Sequence, residues 1–500
     1  MKIGVLDIVA DAAYESFANL AMGAYYRRQK GQLGPQFVVV WCRQLGHDVS
    51  YAVYAGHGDP LSLLPDDLDV VFISAFTRYA LLAYALAKRY RQAGVRTILG
   101  GPHAKAAPLD SARFFDVVIG DCDRELLDEV LKGPVGPGTV LDSGRPLTDI
   151  PSVAERAAEL DQTTRNPGLP LWRRMIHLLA STGCPYDCNF CSDWNSRYRA
   201  LGTEQVRDDM RLVRSRWPDA TVIFSDPNFG VRFDQTVGAI ESLAPDERPA
   251  YVIQCTLSVV KDERLERLRA TGCVYLAAGV ESWADYSGKA GSAGKQGREK
   301  LEQVCSRFEA IARVLPGVQA NFIFGVDQDE GGEPAELIKE MLRRLPSING
   351  EINIPTVYGG TPLFDQLLRE DRIVRGMPYA LYRPPYLTMT LKNYDPLDYF
   401  SQLIDIQKAA FSARSFRYHL TREAPAYLKA YSVIRKATEG AEQIRGLRRM
   451  RQAFLQDPAM GDFYAGRSTG LPQLYEAALR RLLGRHRELL CDEDIRPVLA

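Results

Sequence analysis

Short runs of consecutive apolar residues alternate with longer amphipathic stretches along most of the chain. An apolar run of four to eight residues suits a strand buried on both faces, and a 3.6-residue apolar repeat suits a helix packed on one face. Near the N-terminus the strand candidates are KIGVLDIV, DVSYAVYA, DVVFISAF, RTILGG and FDVVIGD, with LLAYALAKRYRQAG as a helix stopped by Gly94. From His177 onward they are IHLLAS, TVIFSD, YVIQCT, VYLAAGV, QANFIFGV and INIPTVY. Between them lie helical patterns such as EQVRDDMRLVRSRW, DERLERLRATG and KLEQVCSRFEAIARV. Such alternation predicts an α/β protein with parallel pairing and right-handed crossovers. The first region reads as an open, doubly wound sheet whose ligands sit at the C-terminal strand ends. The second reads as a partial (β/α)6 barrel with its chemistry at the same ends.

The pattern divides the chain into an N-terminal domain at 1–135, a linker at 136–170, a barrel at 171–375 and a mainly helical region at 376–500. The linker assignment rests on KGPVGPGTVLDSGRPLTDIP, dense in Gly and Pro. Between the first strand and the helix near Pro35, residues 10–34 form an unusually long joint, read as a lid or a subunit contact. After Asp371 comes a Tyr- and Pro-rich stretch, GMPYALYRPPYLTMTLKNYDPLDYF, which suits either a substrate pocket or packing on the barrel edge. Arg445, Arg448, Arg449 and Arg451 could meet an anion, but a run of this kind is ordinarily a solvated helix face.

Composition narrows the function. The 500 residues hold 62 Lys plus Arg and 62 Asp plus Glu, a formal net charge of +0, which argues against a broad nucleic-acid face. The 46% hydrophobic and 25% charged fractions are globular averages and exclude general disorder. No signal-peptide pattern opens the chain, and no apolar run approaches a membrane span. A cytoplasmic protein is expected, one whose cysteines are not a disulfide framework.

Of nine cysteines, Cys42, Cys122, Cys255, Cys273, Cys305 and Cys491 are scattered singly, whereas Cys184, Cys188 and Cys191 sit together in STGCPYDCNFCSDW. Coincidence of buried thiols is the plain alternative. Three thiolates so close can wrap one soft metal centre. Structural zinc would want a fourth ligand, and the nearest candidate, His177, reads as a strand residue. A 4Fe–4S cluster on three cysteines accounts for the spacing better, because it leaves one iron open to a chelating small molecule.

At these residues the sequence resembles the radical S-adenosylmethionine (SAM) superfamily, whose signature is CxxxCxΦC with an aromatic Φ, here Phe190. IFSDPNFG with Asp226 and Phe229, AAGVES ending Glu281–Ser282, the nearby Lys289, NFIFGVDQDE and PTVYGGTPLFDQLLRED resemble, in order, the further motifs of its cobalamin-type subgroup. The first domain is similar to that subgroup's Rossmann-like cobalamin-binding domain: LGGPHA matches its "GGPHA" turn, and GDCDRE resembles its "GEGE" with Asp121 and Cys122 as departures. No DxHxxG is present, so no histidine is expected on cobalt.

The resemblance implies three cofactors: a 4Fe–4S cluster on Cys184, Cys188 and Cys191, SAM, and cobalamin. It implies SAM contacts at Phe190, Asp226, Glu281 and Ser282, and cobalamin contacts at Ser74, Thr77, Gly100, Gly101, Pro102, His103, Gly120 and Asp121. The implied activity is a methyltransferase that C-methylates an unactivated carbon of a biosynthetic intermediate through a 5′-deoxyadenosyl radical and methylcobalamin. Oxidation, cyclisation or rearrangement without methyl transfer is the alternative, and a non-enzymatic metal-stabilised binding protein a distant one. Implied partners are a small-molecule, lipid or peptide substrate and an electron donor such as flavodoxin or ferredoxin, with no nucleic acid and no membrane span.

Overall fold

The computed structural model describes every residue except 13–30, 57, 134, 146, 165–172, 288–290, 292–293 and 500. Most of the 10–34 joint and Lys289 therefore lie outside the described residues. The chain divides into two compact units, residues 1–165 with 356–383 and 462–500, and residues 166–355 with 384–461.

The first unit is built on strands β1 (Lys2–Ile8), β2 (Asp48–Tyr54), β3 (Val70–Ser74), β4 (Arg96–Gly100), β5 (Val117–Ile119) and β6 (Thr139–Leu141). They form one parallel sheet in the order β2-β1-β3-β4-β5-β6. Burial explains the unbroken apolar runs: six of the seven β1 residues and all five of β3 are buried. The chain order reverses direction beside β1 and β3, which is where doubly wound sheets open a crevice at their carboxyl edge. The helix Ala80–Gln92 is apolar along nearly its whole length and is followed by Gly94 at φ +78°, the left-handed stop predicted for it.

The stretch read as a linker at 136–170 instead supplies β6, whose Thr139, Val140 and Leu141 pair with Val117, Val118 and Ile119, and the helix Ala157–Thr163. Gly and Pro there mark turns around a short strand; local composition does not show that β5 leaves an edge free to pair. The C-terminal region at 376–500 is likewise shared between the units rather than separate. Within the first unit Arg383 holds Asp11 through two hydrogen bonds of 2.7 and 2.6 Å, and Lys88 pairs with Asp494.

The second unit carries β7 (Arg174–Leu178), a small antiparallel pair β8 (Ser181–Thr182) and β9 (Arg199–Ala200), then β10 (Ala220–Phe224), β11 (Ala250–Thr256), β12 (Cys273–Glu281), β13 (Gly317–Ile323) and β14 (Asn349–Asn353). Its main sheet runs β14-β13-β12-β11-β10-β7, all parallel and strictly sequential, the order of a partial (β/α)6 barrel. Crossover helices follow their apolar spacing; Thr203–Arg216 buries Val206, Met210 and Val213, one stripe at i, i+4 and i+7. The helix Ala426–Gln456 leaves Arg445, Arg448 and Arg449 exposed, as a solvated face, while Arg451 donates to Ser401 Oγ at 2.7 Å. Tyr379, Tyr382, Tyr386, Tyr394 and Tyr399 of the Tyr-rich stretch are all buried, which favours packing over a pocket. Among the described residues no helix is long and apolar enough to cross a membrane.

Candidate functional site

Cys184, Cys188 and Cys191 lie in a loop that leaves the carboxyl end of β7 and returns to it. The β8–β9 pair closes the base of the loop, with Ser181 opposite Ala200 and Thr182 opposite Arg199. Gly183 enters the loop at φ +66°, where a Cβ would stand 2.3 Å from the Arg197 carbonyl oxygen, so only glycine fits. The Cys184 N–H then donates to Ser196 O (3.1 Å), the Cys191 N–H to Cys188 O (3.1 Å) and the Trp194 N–H to Cys191 O (3.0 Å). These bonds fix the loop without using a sulfur. All nine cysteines are thiols, with Cys184 and Cys188 buried and Cys191 half-buried.

The donor set fits an iron–sulfur cluster. Three thiols on one short loop can each take a different iron of a cube. His177 is in β7, as its apolar setting predicts, and its Nδ1 lies 2.7 Å from Ser225 Oγ.

The SAM candidates fall at neighbouring strand ends but do different work. Asp226, just past β10, is 3% exposed and turns inward: its carboxylate accepts from the Ala180 N–H (3.0 and 3.2 Å) and from Ser181 Oγ (2.5 Å). It ties the root of the cysteine loop to the next strand, and burial raises its carboxyl to about 6. Glu281 ends β12 at φ +64°, a left-handed conformation that a non-glycine residue holds only under strain, where the β12–β13 register shifts. Ser282 Oγ donates to Asp329 Oδ1 (2.6 Å), whose other oxygen accepts from the Gly325 N–H (2.9 Å).

Lys300 completes this corner and was not picked out from sequence. It is 1% exposed, and its ammonium donates to the carbonyls of Ser282 (2.6 Å) and Ala284 (2.9 Å). Burial lowers its pKa against the opposing pull of Asp285, Glu281 and Asp329. A signal existed: Lys300 shares the buried helical stripe of Val304, Phe308 and Ile311, where a lysine is out of place.

Phe190 stacks on Tyr286 with ring centroids 4.9 Å apart and planes 10° from parallel. Beside this stack opens a cavity of about 400 Å³ lined by Tyr186, Asp187, Cys188, Asn189, Tyr286, Ser287 and Gln328. The cavity thus joins the cysteine loop to the loop following Glu281, a concave and mixed-polarity setting suited to a small polar ligand.

The eight residues matched to a cobalamin domain gather at the carboxyl ends of β3, β4 and β5 in the first unit. Gly101 takes φ +88°, and a Cβ there would stand 2.8 Å from Ser74 Oγ and 3.3 Å from the Ala75 backbone. Gly100 faces open space, whereas a Cβ on Gly120 would meet Asp142 Oδ2 at 2.7 Å. Pro102 is exposed, and Asp121 is exposed and paired with Lys105 at 3.0 Å. Asp123 caps the following helix through the Leu126 N–H (2.8 Å), and the Arg145 guanidinium on it holds its carboxyl below the usual range. Thr77 and His103 point the other way. His103 is fully buried, with Nε2 2.7 Å from Tyr84 Oη and Nδ1 3.3 Å from Thr77 Oγ1, and burial lowers its pKa to about 3. Its ring is therefore bonded to interior partners.

Residues 178–341 match the model of the radical SAM superfamily, a span that runs from the end of β7 into the helix after β13. The three-cysteine loop, at the carboxyl edge of a sequential parallel sheet, lies within that matched span. Bacteriochlorophyllide d C-8(2)-methyltransferase of Chlorobaculum tepidum is 23% identical over 348 residues, covering 66% of this chain and 75% of that protein. Two solved structures share the fold. The radical SAM methyltransferase TsrM of Kitasatospora setae, with cobalamin and a [4Fe–4S] cluster bound, is 12% identical with a TM-score of 0.55, covering 89% of this chain and 99% of that one. The cobalamin-dependent SAM radical enzyme OxsB is 13% identical with a TM-score of 0.57, covering 99% and 82%.

Proposed function

We propose that this chain is a cobalamin-dependent radical SAM methyltransferase that transfers a methyl group to an unactivated carbon of a biosynthetic intermediate. The observation that carries this reading is the pairing of a three-thiol loop, at the carboxyl edge of a partial-barrel sheet, with a separate doubly wound unit whose Gly100–Gly101 turn lets a flat ligand approach the backbone. The methyltransferase relatives support it. When bound, the cluster supplies the electron that splits SAM to a 5′-deoxyadenosyl radical, and the corrinoid carries the methyl group.

The chain's own residues bind and aim. Cys184, Cys188 and Cys191 would hold the cluster and would leave one iron open to chelate SAM. Asp226 keeps the root of that loop on β10, and Lys300 with Asp329 fixes the Glu281–Ser282 corner beside the cavity. Phe190 and Tyr286 form an apolar wall that excludes water from one side of it.

The test is anaerobic turnover with SAM carrying a labelled methyl group, a low-potential reductant and cobalamin, offered candidate substrates and followed by mass spectrometry. Each methylated product should carry the label on carbon and accompany one 5′-deoxyadenosine and one S-adenosylhomocysteine. Deoxyadenosine forming in step with an unlabelled product, without S-adenosylhomocysteine, would replace methyl transfer by oxidation or rearrangement.

A further inference from the structure

In the first unit the segment Arg487–Val498 is gripped by two cations that lie far from it in sequence. Lys88, on the helix Ala80–Gln92, pairs with Asp494 and donates to the Leu489 carbonyl (3.3 Å). Arg113 donates to the carbonyls of Glu493 (2.9 Å) and Arg496 (3.4 Å). The Cys491 N–H donates to Asp494 Oδ2 (2.8 Å), so the carboxylate that meets Lys88 also fixes the shape of the segment.

The far end of the segment reaches inside the unit. The Val498 N–H donates to Asp110 Oδ1 (3.0 Å), and Asp110 is 2% exposed. The same oxygen accepts from Arg113 (2.8 Å), and Oδ2 accepts from the Tyr84 hydroxyl (2.9 Å). Tyr84 Oη lies 2.7 Å from His103 Nε2, and the His103 N–H donates to Ala75 O (3.1 Å), just past β3. Tyr84 and His103 are both 0% exposed. An unbroken row of bonds therefore joins Val498 to the Gly100–His103 turn through three buried side chains. The Val498 side chain is itself 49% exposed, so what it gives the row is its backbone N–H.

Charged groups make the strongest hydrogen bonds and are the most costly to leave short of them. Without the Val498 N–H, Asp110 Oδ1 keeps only Arg113, which is itself held by the segment. The carboxylate can recover a partner by turning toward water, and that movement takes it away from Tyr84. We propose that Arg487–Val498 is a clasp whose seat on Asp110 sets the rigidity of the Gly100–His103 turn. Its release loosens that turn and leaves the sheet intact. The coupling runs through Asp110, Tyr84 and His103 and requires no ligand.

Amide hydrogen exchange on the full chain, resolved by residue, tests it. Val498→Pro removes the N–H at a position whose side chain packs little. It should speed exchange at His103 and Ala104 about tenfold and leave Val5 and Leu6 of β1 within about twofold of wild type. Val498→Ala keeps the N–H and should match wild type. Lys88→Met loosens the segment without removing a partner of Asp110, and should speed exchange at Cys491 and His103 together. This variant decides the matter if Val498→Pro does not fold. Unchanged exchange at His103 in these variants overturns the coupling. Equal acceleration in β1 overturns it too, because the segment would then stabilise the unit as a whole. Val498→Ala behaving like Val498→Pro also overturns it, by placing the effect in the side chain.

Discussion

At the carboxyl edge of the first sheet the polar side chains satisfy one another, Thr77 with His103, His103 with Tyr84 and Tyr84 with Asp110, whereas at the carboxyl edge of the second backbone bonds such as Cys184 N–H to Ser196 O shape the loop that carries three thiols. One edge is a tight glycine turn backed by a buried polar network. The other presents three thiols on one short loop, around which a metal cluster can be assembled. Both edges depend on a glycine at positive φ, Gly101 in one and Gly183 in the other, because in each the backbone passes too close to a neighbour for a Cβ. A cofactor that is held by shape asks for a finished surface, and one that is held by covalent ligation asks for thiols on a rigid loop.

The sharpest way to separate the two edges is to remove the ligands. Ala at Cys184, Cys188 or Cys191 should abolish iron and labile sulfide and all SAM cleavage, yet leave aquocobalamin binding intact. Cys255→Ala and Cys273→Ala, at buried thiols away from the loop, should keep full iron content. A triple loop variant that retains its iron would end the cluster assignment.

The glycines give a matched pair. Gly183→Ala meets the Arg197 carbonyl and a positive φ, which together cost upwards of about 1–3 kcal/mol, so iron content should fall severalfold with corrinoid affinity unchanged. Gly101→Val meets Ser74 and the Ala75 backbone and should do the reverse, expelling corrinoid while iron stays at the wild-type level. Loss of both cofactors from either variant would show that the two edges do not respond separately.

Buried titratable groups at the two edges shift with pH in opposite senses. His103 has a native pKa near 3, below its usual 6.5, so its contribution to stability is full above pH 6.5 and is lost as pH falls toward 3. Asp226 has a native pKa near 6, above its usual 3.8, so its contribution is full below pH 3.8 and is lost as pH rises through 6. Each is worth on the order of a few kcal/mol. Calorimetry of His103→Gln against wild type should show the variant's relative stability improving toward acid, and Asp226→Asn the reverse, improving toward pH 8. A difference that does not change with pH would contradict the burial assigned to either group. The smallest effect is expected at the aromatic stack, where Tyr286→Leu should cost about 1 kcal/mol and slow reduction-free handling little, read as a modest fall in melting temperature.

Much of this was legible in the chain itself. Apolar runs such as VVFIS and IGVLDI carry their strand state because both faces are covered, and the helix stripes repeat at 3.6 residues. The spacing of Cys184, Cys188 and Cys191 is local chemistry, expressed within a few residues of backbone. Tertiary structure decided the rest, because those outcomes depend on partners far along the chain. Thr139–Leu141 became β6 only because β5 offered a free edge, and residues 356–383 and 462–500 joined the first unit through contacts such as Arg383 with Asp11. Asp226, read as a SAM contact, turned onto Ala180 and Ser181, and His103 turned onto Tyr84. A residue's type and spacing limit what it can bond, but the direction in which a side chain spends its few hydrogen bonds is set by whichever distant partner the fold brings within 3 Å.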